Sequence, residues 1–145
     1  MERSIYSNLK KWKESPTRKP LILQGARQVG KTYILKEFGA HEYSEVVYIN
    51  CDDNNDMQNM FVDYDVDRII RSLSAISGVS IKPSTTLLIL DEIQEVERGL
   101  ASLKYFCEKA PEYHVAVAGS LLGITLHEGT SFPVGKVDIC LLYTS

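Results

Sequence analysis

Gly25-Ala26-Arg27-Gln28-Val29-Gly30-Lys31-Thr32 satisfies G-x-x-x-x-G-K-[ST] at every fixed position. The spacing has a chemical reason. Where a strand gives way to a helix, a tightly curled chain turns successive backbone N–H groups toward one anion. Gly25 and Gly30 permit the dihedrals and the close approach that a side chain would block. The helix starting near Lys31 adds the positive end of its dipole. Residues Gly25 through Tyr33 are therefore expected to cradle a polyphosphate. Lys31 would reach its β- and γ-phosphates, and the Thr32 hydroxyl would ligate Mg²⁺. By chance the fixed positions coincide in roughly one chain of this length in 200. An apolar run before the loop and a helical pattern after it weigh further against chance.

A second constellation is Leu87-Leu88-Ile89-Leu90-Asp91-Glu92, an apolar run that delivers two carboxylates at its tip. Asp91 is expected to hold the Mg²⁺ shell opposite Thr32. Glu92 is the candidate to polarise an attacking water. Alone this is weak, because strands often end in acidic residues where the chain meets solvent. The phosphate loop makes it persuasive. Ala118-Gly119-Ser120 ends a further apolar run. Ser120 would face the terminal phosphate if that strand lies between the other two, and a satisfied serine in a turn accounts for it equally well. Gln94 reads as a solvated helix start more readily than as a reporter of nucleotide state.

Other groupings carry less. Asp52, Asn54 and Asp56 have the first spacings of a calcium loop, but Met57 stands where glycine is needed and Asp63 where glutamate is needed. They read as solvated loop and helix capping. His41, His114 and His127 pair with no cysteine or carboxylate at ligand spacing, so no zinc site is expected. Arg18 and Lys19 form the only basic pair expected near the nucleotide entrance and read as solvated. Arg27 lies inside the loop, where side chains point away from phosphates, so it is not assigned as a catalytic arginine.

The elements that must position these groups alternate. Ile5, Leu9 and Trp12 mark an amphipathic helix over 3–13. Strands are expected at 20–24, 46–50, 85–91 and 114–118, with a fifth over 134–142. Helices are expected at 32–38 (stopping at Gly39), 66–77 and 100–109. Alternation of this kind implies a parallel sheet covered on both faces, with ligands beyond the carboxyl ends of the strands. The 145 residues hold one domain, and 44% hydrophobic with 24% charged usage is ordinary globular composition. A net charge of −3 argues against a dedicated nucleic-acid arm. No apolar run approaches the ~18 residues of a membrane helix. Three cysteines without a spaced pair suit a reducing, cytoplasmic setting.

These residues carry a family resemblance over nearly the whole chain. RKPLILQ followed by GARQVGKT, then LLILDEIQ, AGSLLGI and SFPVGKV, resembles the AAA-type ATPases of bacteria and archaea in the family's own order. The resemblance implies an α/β P-loop NTPase three-layer sandwich whose mainly parallel five-stranded sheet runs 5-1-4-3-2. It implies ATP and Mg²⁺ as ligands, with Gly30, Lys31 and Thr32 binding them and Asp91 and Glu92 supporting hydrolysis. Ser120 would take the sensor 1 role. P-loop proteins with an inserted strand and a glutamate beside the magnesium aspartate generally hydrolyse ATP, whereas small P-loop kinases usually lack both. Family members continue into a second, C-terminal domain after the fifth strand. Residues 1–139 are expected to form the ATPase core. Residues 140–145, CLLYTS, resemble translated sequencing-adapter DNA and are expected to be a non-native tail.

No arginine of this sequence is assigned as the finger that stabilises the transition state. A second subunit or the C-terminal domain is expected to supply it, so hydrolysis by this chain alone should be slow. Two other readings compete with ATP hydrolysis: a nucleotide-dependent regulatory switch with little turnover, and a phosphotransferase acting on a small molecule.

Overall fold

The computed structural model describes residues 3–25, 30–52, 54–119 and 135–142. Helices α1 (Arg3–Glu14), α2 (Lys31–Glu42), α3 (Val66–Ser77) and α4 (Gly99–Lys109) alternate with strands β1 (Leu21–Gly25), β2 (Glu45–Asn50), β3 (Thr86–Asp91), β4 (His114–Ala118) and β5 (Asp138–Leu142). The strands form one sheet in the order β2-β3-β4-β1-β5, and every pairing is parallel. This is the expected order read from its other edge.

Strand alternation divides the core in two. Ile22, Val47, Ile49, Leu88, Leu90, Val115 and Val117 face one side, where α3 and α4 supply Ile69, Leu73, Leu103 and Phe106. Leu21, Leu23, Leu87, Ile89, Ala116 and Ala118 face the other, against Ile5, Leu9 and Trp12 of α1 and Ile34, Leu35 and Phe38 of α2. Three layers result. β3 is buried on both faces, which is why it reads as a continuous apolar run rather than an alternating one. Ala116 and Ala118 are the small residues beneath α2 on the central strand β4.

Most elements lie where the sequence puts them, and α2 is the main difference. It passes through Gly39 and ends at Glu42, closed by a Tyr43 N–H to Gly39 O bond. Gly39 is a packing contact, not a terminator. A Cβ there would come within 2.6 Å of Val46 Cγ2 and 3.0 Å of Leu87 Cδ2. β5 begins at Asp138 rather than 134, and its register pairs Leu21 with Asp138 and Gly25 with Leu142.

Arg18 and Lys19 precede β1, and so lie at the amino end of the sheet, about five residues or ~17 Å of strand from the phosphate loop. They are not near the nucleotide entrance. The Arg18 guanidinium instead donates to Lys13 O (3.1 Å) and Pro111 O (2.9 Å), and the Lys19 N–H donates to Asp138 Oδ2 (3.0 Å). Beside them His114 is buried, shares a 2.6 Å hydrogen bond with Tyr43 Oη and meets the Trp12 ring edge-on. Burial, aided by the Arg18 and Lys13 charges, pushes its pKa down to about 4.

That shift has a pH consequence with a definite sign. Between pH 6.5 and 4 the unfolded chain takes up a proton at His114 that the folded chain refuses, so stability falls as pH falls through that window. The loss approaches about 3 kcal/mol near pH 4 and is absent above pH 6.5. Urea midpoints across that range should show the slope, and His114→Gln should flatten it.

Candidate functional site

The loop motif closes onto α2 through Gly30, whose φ of 78° is left-handed, a conformation glycine adopts without penalty. Among the described residues nothing lies within 4 Å of where its Cβ would stand. The Gly30 carbonyl accepts from Ile34 N–H at 2.9 Å and so starts the helix. The first turn then presents Lys31 and Thr32. Lys31 is only 6% exposed, and its Nζ donates to Gly25 O at 2.9 Å, at the tip of β1. Burial lowers its pKa, while the Glu92 and Asp91 charges raise it. The ammonium is thus held in the cleft facing both acids.

Asp91 closes β3 on the face that α2 covers. Its Oδ2 accepts from Thr32 Oγ1 at 2.7 Å and from Tyr48 Oη at 2.6 Å, while its Oδ1 accepts from Glu92 N–H at 3.0 Å. Glu92 follows at φ 54°, ψ 43°, a left-handed backbone that a non-glycine residue adopts at a cost. Gly30, Lys31, Thr32, Asn50, Asp52, Asp91 and Glu92 line one cleft of about 320 Å³ at the carboxyl ends of β2 and β3. The two constellations, 59 residues apart in sequence from Thr32 to Asp91, meet by a direct hydrogen bond.

Among the other expected site residues, Gly25 contributes its carbonyl to Lys31. Tyr33 is 63% exposed and does not line the cleft. Ala26, Arg27, Gln28, Val29 and Ser120 lie outside the described residues. Gln94 sits in a short 3-10 turn, Ile93–Glu95, directly after Glu92. Tyr48, Asn50 and Asp52 are site residues that sequence reasoning did not assign. The Asn50 side chain accepts from Asp52 N–H at 2.8 Å, a local turn at the end of β2, and both residues line the cleft. Asn54 caps the following 3-10 turn through Asp56 N–H, the capping role expected of it. The Tyr48 pKa is raised, first by burial and then by its bond to Asp91, so the phenol remains a donor.

The donor set can be tested against the ligands it implies. Thr32 Oγ1 and Asp91 offer hard oxygens at one point, as Mg²⁺ requires. Among the described residues no group of three His, Cys, Asp or Glu could hold a metal by itself. An ion between Thr32 and Asp91 would draw its remaining ligands from water and phosphate oxygens, the usual manner for Mg²⁺. The buried Lys31 ammonium, at the start of α2, suits the phosphates. The residues present fit the pair of ligands.

A family model described as an AAA domain matches residues 17–145. No curated protein matches the sequence. Among solved structures the chain is similar to the Walker-type ATPase PABY2304 of Pyrococcus abyssi, with a TM-score of 0.60 and 18% identity. That likeness covers 99% of this chain and 53% of the other, so this chain spans about half the length of its structural relative. At such identity it establishes the P-loop NTPase fold. Among the described residues no helix is long and apolar enough to cross a membrane.

Proposed function

The chain belongs to the AAA domain family, and from that premise we propose that it binds ATP with Mg²⁺ and hydrolyses it to ADP and phosphate. The observation that carries this is the 2.7 Å bond from Thr32 Oγ1 to Asp91 Oδ2, in a cleft that also holds Lys31 and Glu92. Thr32 and Asp91 would hold the magnesium ion, which would supply neutralisation of the charge that develops on the transferred group. The chain's own residues do the rest. Lys31 exchanges the Gly25 carbonyl for phosphate oxygens, a charge-assisted hydrogen bond in place of a neutral acceptor. A hydroxyl has one proton and two lone pairs, so Thr32 keeps its bond to Asp91 while turning a lone pair toward the ion. Glu92 accepts the proton of a water that attacks the γ-phosphorus in line, and the bridging oxygen leaves with ADP.

No arginine is among the described residues that line the cleft. In this reading the arginine finger, a contribution of about 10³–10⁵ in rate, comes from a second subunit or from a further domain. Turnover by this chain alone is then slow, and binding is the first quantity to measure. Titration of the chain with a fluorescent ATP analogue in Mg²⁺ should give saturable binding. Lys31→Ala should weaken it about 10- to 100-fold, the value of one hydrogen bond to a charged group. Equal affinity for the two proteins would sink the reading.

A further inference from the structure

Asp91 has a partner that neither sequence motif contains. Tyr48 lies on β2, in register with Ile89 of β3, and its phenol reaches two residues along to donate to Asp91 Oδ2 at 2.6 Å. It does so from the edge strand, on the flank of Asp91 away from β4. The ring is held from above by α2. Lys36, one turn after Thr32, places its Nζ 3.9 Å from the ring centroid, a cation–π contact that pins the ring in place. Thr32 and Lys36 thus bracket the phenol on one helix face, the first sharing its acceptor oxygen and the second covering its ring.

We propose that Tyr48 is a positioning residue that fixes the Asp91 carboxylate for the divalent cation, a role that rests on the ATP·Mg²⁺ reading above. The reason lies in the torsion it controls. The terminal torsion of an aspartate is broad and roughly two-fold, so its donors decide where the oxygens point. Thr32 alone would tether Oδ2 from the α2 side and leave the β2 side open to rotation. The Tyr48 hydroxyl closes that side, and the Glu92 N–H holds Oδ1. Tyr48 touches no phosphate in this role. It acts through Asp91, as hydrogen-bond partners behind metal ligands generally do, and such partners are worth about 10- to 100-fold in metal affinity.

The test uses the whole 145-residue chain and Tyr48→Phe, which keeps the ring and its Lys36 contact and removes only the hydroxyl. A fluorescent ATP analogue is titrated in EDTA and again across a Mg²⁺ series, so each protein serves as its own reference. Melting in EDTA checks that both are folded. Wild type should bind more tightly as Mg²⁺ rises. Tyr48→Phe should match it within about twofold in EDTA and need about 10-fold more Mg²⁺ for the same gain. An unchanged Mg²⁺ midpoint would overturn the role of Tyr48 and leave nucleotide binding intact. A loss as large in EDTA as in Mg²⁺ would also overturn it, because the hydroxyl would then support the phosphate site as a whole. Failure of wild type to bind at any Mg²⁺ concentration would instead remove the reading beneath it.

Discussion

Glu92→Gln is expected to lower ATP turnover about 10²- to 10⁴-fold while leaving Mg²⁺-dependent ATP binding intact. The substitution is close to isosteric. The amide cannot accept the proton of an attacking water, so the chemical step loses its base. Binding survives because Lys31, Thr32 and Asp91 are untouched, and the bond to Asp91 Oδ1 comes from the residue 92 backbone N–H, which glutamine retains. The left-handed backbone at 92 disfavours glutamine and glutamate alike, so a fold defect should not mimic the result. Single-turnover phosphate release, with retained nucleotide measured in parallel, separates the two quantities. An unchanged release rate would remove Glu92 from the mechanism and favour a switch that binds nucleotide without using this acid.

The largest expected effect on stability is at Phe38. Its ring is fully buried between α2 and the sheet, meeting Tyr6 at 5.8 Å and Tyr43 at 5.9 Å, both edge-on. Phe38→Ala removes those contacts and leaves a cavity beneath the helix that carries Lys31 and Thr32. A cost of about 3–5 kcal/mol follows from comparable truncations, a large part of the about 5–15 kcal/mol that holds a typical domain. The melting temperature should fall by roughly 10 °C or more. Saturating Mg·ATP should restore part of it, because a ligand at 100 times its dissociation constant adds about 2.7 kcal/mol. A shift of under about 3 °C would mean that α2 is anchored mainly by its other contacts. Partial rescue would tie the stability of this layer to the ligand site.

The two constellations differ in how much of their geometry is local. The strand, Gly30, Lys31 and the helix start are legible because they follow one another closely in the chain. Asp91 and Glu92 are legible as the tip of an apolar run, while the place of that tip in the sheet is what the family resemblance implies and the strand order bears out. Tyr48, Asn50 and Asp52 are not legible. Their place depends on the register of β2 against β3, in which Asn50 pairs with Asp91, and a slip of one residue would turn Tyr48 to the other face. Gly39 misleads for a related reason. A glycine near a helix end marks a terminus only when no neighbouring strand needs the room, and here Val46 and Leu87 do. Arg18 and Lys19 are near the loop in sequence but at the opposite end of the strand in space.

β4 stands between the strand that leads into the loop and the strand that ends in the acids. Two strand spacings, about 9–10 Å, therefore separate those strands. Thr32 bridges the interval from α2, which crosses above β4. How low that helix rides is governed by what lies under it, and beyond His114 this face of β4 offers two methyl groups, Ala116 and Ala118. These alanines react with nothing and bind nothing, yet they act as the gauge of the opening. Bulkier neighbours there would leave every reactive group in the sequence and draw the hydroxyl away from its carboxylate.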